Sequence, residues 1–100
     1  MKPRITISQT KDGDLQVWLN PAGRDLLVRK LQGLSETNDH IHLTPAGLDG
    51  DVEVQSRAYH EDDQVIQWAK FLFRPDEWDT RYFPHVMKPV SASCVLLKKA

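Results

Sequence analysis

Polar and apolar residues alternate along two short runs near the start of the chain. Ile5 and Ile7 are separated by Thr6 and followed by Ser8, while Leu15, Val17 and Leu19 enclose Gln16 and Trp18. A period of two sends successive side chains to opposite faces of an extended backbone, so both runs read as half-buried strands. Between them, Lys11-Asp12-Gly13-Asp14 holds an Asp-Gly pair that accepts the positive φ angles of a tight turn, which predicts an opening β-hairpin. Asn20-Pro21 then marks a helix start. An Asn side chain caps free backbone N–H groups, and Pro at the first helical position gives up only a donor that has no partner there. Leu27, Val28, Leu31 and Leu34 recur at helical spacing, with Arg24, Asp25, Arg29 and Gln32 left for solvent, so the helix is expected over about Pro21 to Leu34, fraying at Gly33.

A polar connection, Ser35 to Asp39, precedes a second alternating run, His40-Ile41-His42-Leu43-Thr44. Val52-Glu53-Val54-Gln55 alternates again after the Gly- and Asp-bearing stretch Pro45 to Asp51, and the pair reads as a second hairpin with Ile41, Leu43, Val52 and Val54 inward. Gln64 to Arg74 fits two patterns. Val65, Trp68, Ala69 and Leu72 lie on one helical face behind acidic Glu61, Asp62 and Asp63, whereas Phe71-Leu72-Phe73 suits a strand buried on both faces. A strand is the expectation, because one helix against four strands leaves sheet surface to be extended. Pro75 ends the element in either case. Beyond it, Pro84 and Pro89 interrupt regular structure, and only Cys94-Val95-Leu96-Leu97 suits a short final strand.

The expected fold is therefore α+β: a small, mainly antiparallel sheet in the order ββαβββ, one helix on one face, and an irregular C-terminal arm. The 100 residues form one domain, with a core at about 4–75 and the arm at 76–100. A hydrophobic share of 40% supplies a core, and no run approaches the roughly 18 apolar residues of a membrane span. The single cysteine, Cys94, excludes a disulfide framework, and the first residues carry no secretory pattern, so a cytoplasmic protein is expected.

The net charge of −1 hides an acidic centre. Residues 36–63 carry eight acids and one base, Arg57, whereas residues 1–35 and 64–100 each carry six bases and three acids. That centre has the wrong sign for a phosphate backbone, which argues against nucleic acid, and the right sign for a basic protein surface.

Catalytic patterns are missing. The serines lack a nucleophile-elbow setting, Cys94 lies in an apolar run, the paired acids Asp62-Asp63 and Asp76-Glu77 fit solvated turns or helix starts, and no phosphate-binding glycine loop occurs. No enzyme and no cofactor is expected. His40 and His42 lie two apart on a strand and so face the same way; with a third ligand from Asp39, Glu53, His60 or His85 they would form a metal site, the alternative reading. The segment Arg74 to His85 interleaves Trp78, Tyr82 and Phe83 with Arg74 and Arg81, residue types that anchor protein interfaces. A second candidate surface is the sheet face opposite the helix, where Thr6, Gln16, Trp18, His40, His42, Glu53 and Gln55 would gather.

The order of these features carries a resemblance. An opening hairpin, a capped Leu-rich helix ending near Leu34, and Asn38-Asp39-His40-Ile41-His42-Leu43-Thr44-Pro45 before a Gly/Asp-rich stretch resemble the immunity protein 32 family of bacterial polymorphic toxin systems, over roughly residues 5–75. The chain departs from that pattern at Ala46-Gly47-Leu48-Asp49-Gly50. The resemblance implies a small α+β protein that neutralises a cognate toxin and carries no catalytic residues. The expectation is a binding protein, monomeric or homodimeric, that covers a basic toxin site with Glu53, Glu61, Asp62 and Asp63, aided by Trp78, Arg81 and Tyr82.

Overall fold

β1 (Ile5–Gln9) and β2 (Leu15–Leu19) pair antiparallel, with Thr6 opposite Trp18 and Ile7 opposite Val17. Gly13 takes φ 95° in the turn between them and donates to the Thr10 carbonyl at 2.9 Å. The chain is known from a computed structural model that describes residues 1–89. Its architecture is α+β, with six strands and two α-helices among those residues.

Asn20 starts α1 (Pro21–Gln32) and does more than cap it. Its Oδ1 accepts from Gly23 N at 2.7 Å and from Arg4 N at 2.9 Å, while its Nδ2 donates to Lys2 O at 2.9 Å. One amide thus fastens the helix start to the strand that opens the chain. The helix ends two residues short of Leu34: after Gly33 the bonding shortens, with Leu34 N–H on the Leu31 carbonyl at 3.1 Å, and Asn38 Nδ2 donates to the Gly33 carbonyl at 3.0 Å.

The expected second hairpin is replaced by a parallel pair. β3 (His40–Pro45) and β4 (Val52–Val54) run the same way, with Leu43 opposite Val52. Gly47 at φ 84° and Asp49 at φ 51° curl the connection back alongside β3, and left-handed positions of this kind suit Gly and Asp. Asp51 then accepts from His42 N at 2.7 Å, occupying the strand's donor one residue ahead of β4. Alternation reads the same in both directions of pairing, so the inward set was legible and the direction was not. Ile41, Leu43, Val52 and Val54 are all buried, together with Ile5 and Ile7, and Leu26, Leu27 and Leu34 pack against this cluster.

The single expected sheet is two sheets of three strands, ordered β2-β1-β5 and β4-β3-β6. The run 64–74 is extended, but divides. β5 (Gln64–Val65) pairs with β1 at Ser8 and Gln9, and after Ile66 to Trp68 the chain enters β6 (Ala69–Leu72), which pairs with His40 to Leu43 of β3. This run is not buried on both faces: β6 is an outer strand, and Leu72 is 63% exposed.

The arm is also more regular than expected. α2 (Asp76–Tyr82) and a 3-10 turn at Pro84–Met87 follow Pro75. Asp76, Glu77 and Asp79 complement the positive end of α2, although Pro75 supplies no side-chain cap. The strand expected at Cys94–Leu97 falls outside the described residues.

Gly23 gives a direct test of the Asn20 junction. Helix propensity alone favours Ala there by about 1 kcal/mol. An added Cβ would lie 2.6 Å from the Arg4 carbonyl oxygen and 3.0 Å from Asn20 Oδ1 and Ile5 Cγ1. Gly23→Ala is expected to destabilise by about 1–3 kcal/mol in urea unfolding. Equal or higher stability would show that the helix start is not held against β1.

Candidate functional site

The polar face of the first sheet is covered by the segment that follows β4. Thr6, Ser8, Gln16 and Trp18 share that face through the β1–β2 register. Trp18 lies flat against Tyr59, with ring centroids 4.1 Å apart and an interplanar angle of 11°, and the His60 ring stands at 6.0 Å. Trp18 is therefore a half-buried anchor for the 56–63 turn. Ser8 Oγ, Gln16 Oε1 and Trp18 Nε1 on this face, and Asp63 Oδ2 in the turn, are buried without a hydrogen-bond partner among the described residues.

His40 and His42 do face the same way. Their rings meet edge to face at 4.9 Å, in the exposed half of β3. Each has a carboxylate beside Nδ1: Asp39 Oδ1 lies 2.7 Å from His40, and Asp51 Oδ2 lies 3.7 Å from His42. The first is a hydrogen bond of the kind that orients an imidazole beside a metal, whereas the second is longer than a hydrogen bond. The third ligand does not arrive. Across the strand, the pair meets Leu72 and Lys70, while His60 packs by Trp18 and His85 by Phe83 at 6.2 Å. Glu53 lies opposite Thr44, farther along the strand. No group of three His, Cys, Asp or Glu side chains suited to a metal gathers among the described residues.

The 74–83 segment forms an apolar cleft. Arg74, Trp78, Tyr82 and Phe83 line about 520 Å³. The Arg74 guanidinium lies 5.5 Å from the Trp78 ring and 4.9 Å from the Phe83 ring, and its Nε donates to Asp79 Oδ1 at 3.1 Å. A seven-residue helix is too short to hold itself in water, so this clamp, reaching from before Pro75 to the far end of α2, helps to shape it. Arg81 leans over the Tyr82 ring at 5.5 Å, and Tyr82 is 62% exposed. Val86 and Met87, in the 3-10 turn that follows, are also exposed. Chemically, the cleft offers aromatic walls and one cation, a setting for an apolar or aromatic side chain.

The predicted site residues are thus divided. Trp78 and Tyr82 share the cleft and Arg81 flanks it, whereas Glu53 is exposed on β4, Glu61 and Asp62 are exposed on the turn, and Asp63 is half-buried at its end. Glu53 lines clefts beside Lys2 and Pro3, away from the aromatic one. Arg74, which the sequence places among the anchor types of this segment, pairs with Asp79, and Asp79 was missing from the predicted set. Their position around the Pro75 helix start was the available signal.

No protein-family model, curated protein or solved structure matches the chain. Among the described residues, no helix is long and apolar enough to cross a membrane.

The histidine strand makes a prediction about acid titration. The side-chain hydrogen bond to His40 holds the Asp39 carboxyl below its ordinary value, and the His42 backbone N–H does the same for Asp51. A lowered carboxyl favours folding fully above the ordinary aspartate range, and that contribution is lost as pH falls through the lowered value. Carboxyl-detected NMR should show both titrating below free aspartate. His40→Ala should return Asp39 towards the ordinary value and leave Asp51 low, since a backbone donor holds the latter. Equal upward movement of both would contradict this division.

Proposed function

We propose that this chain is a non-catalytic binding protein whose partner is another protein, of the immunity type, neutralising a toxin domain by contact. The observation that carries the reading is the cleft at Arg74, Trp78, Tyr82 and Phe83, which leaves aromatic surface exposed around a clamped guanidinium. Trp, Tyr and Arg dominate the energetics of protein interfaces, because large rigid rings bury much area at little entropic cost and Arg adds directional hydrogen bonds. The acids Glu53, Glu61 and Asp62 lie exposed elsewhere on the surface. In this reading they steer a basic partner while the aromatic cleft holds it, a division between association rate and residence time.

The test is co-expression with a toxin domain encoded beside this chain. Protection and a purified complex are expected; no protection and no complex would overturn the proposal. In the complex, Trp78→Ala with Tyr82→Ala should weaken binding at least tenfold, about 1.4 kcal/mol, mainly through faster dissociation. Charge reversal at Glu61 and Asp62 should chiefly slow association, with an effect that shrinks as salt rises.

A further inference from the structure

A second cleft, of about 260 Å³, opens where the start of β1 meets the end of β4, and Arg4, Thr6, Gln55, Arg57, Ala58 and Tyr59 line it. We propose that it binds a small aromatic molecule carrying one oxyanion group, a phosphate ester or a carboxylate. The walls are fixed by backbone bonds: Gln55 N–H donates to the Ile5 carbonyl at 2.8 Å, and Arg4 is held on both sides of its peptide by Asn20. Thr6, only 2% exposed, forms the floor with a hydroxyl-bearing side chain. Tyr59 is braced on one face by Trp18 at 4.1 Å, which keeps its ring rigid where it borders the cleft.

Charge argues for an anion. Arg57 is the lone base of the acidic stretch 36–63, and the fold brings it to the same cleft as Arg4. Neither arginine forms an ion pair among the described residues. Both arginines line one small cleft, and the forked donors of a guanidinium match phosphate and carboxylate oxygens. Glu53 lines the adjoining cleft with Arg4 and Gln55 and lowers the local positive potential. Size limits the ligand. The cleft falls below the usual range of about 300–1,000 Å³ for drug-sized ligands, which leaves room for an anionic group and one ring.

The experiment is an amide NMR titration at low ionic strength with phenyl phosphate, benzoate, inorganic phosphate and neutral phenol. Saturable shifts centred on Thr6, Gln55, Arg57 and Tyr59 are expected with phenyl phosphate or benzoate, and the tighter of the two names the oxyanion. Inorganic phosphate should bind more weakly at the same amides, and phenol should not bind. Arg4→Gln and Arg57→Gln should each weaken binding about tenfold or more while the remaining spectrum stays in place, and Glu53→Gln should strengthen it. Absence of saturation below about 10 mM, shifts spread over all basic residues, equal binding of phenol, or unchanged affinity in both arginine variants would each overturn the assignment.

Discussion

The ladder of hydrogen bonds on both flanks of β1 is the constraint on which the other elements depend. At Arg4, the carbonyl turns towards the β2 side and accepts from Asn20 N; at Ile5 and Ile7, the carbonyls turn the other way and accept from Gln55 and Ile66, each at 2.8 Å. A strand whose donors and acceptors are used on both sides has no free edge there, and Ile5 to Ser8 are buried accordingly. The two sheets meet through this strand, and the core lies beneath it. Because Ile5 and Ile7 face that core, Thr6 and Ser8 must face the other way, and the chain after β4 folds over them. The position of Tyr59, and of the cleft beside it, follows from that cover.

Asn20 extends the same control to the helix. A capping Ser or Asp would satisfy the helix donors but lacks the amide N–H that reaches Lys2, so the junction uses both ends of one side chain. Close approach at this point leaves no space for a Cβ at Gly23. The cost of a glycine within a helix is thereby accepted for contact between α1 and the first strand.

Much of this was legible in the chain because it rests on local chemistry. Asp12-Gly13 set the first turn, Asn20-Pro21 set the helix start, and alternation named Ile41, Leu43, Val52 and Val54 as buried. What escaped was non-local. Period two does not distinguish parallel from antiparallel pairing, and a continuous apolar run such as 64–74 gives no sign that its halves join different sheets. For the candidate surfaces, sequence placed His40 beside His42 and grouped Trp78 with Tyr82. It did not reveal that Asp39 would hydrogen-bond the His40 ring, that Asp51 would accept from the His42 backbone, or that Trp18 would stack on Tyr59.

The span of the β1 ladder also sets an order on synthesis. The strand is made before its partners, and its second flank is completed only by Gln55 and Ile66, much later in the chain. Until then, Ile5 and Ile7 wait beside an unpaired edge, with only β2 and α1 to shield them. The second flank of this edge cannot close before residue 66 is made, so slow translation ahead of that point would prolong the interval in which a nascent chain presents the edge to its neighbours.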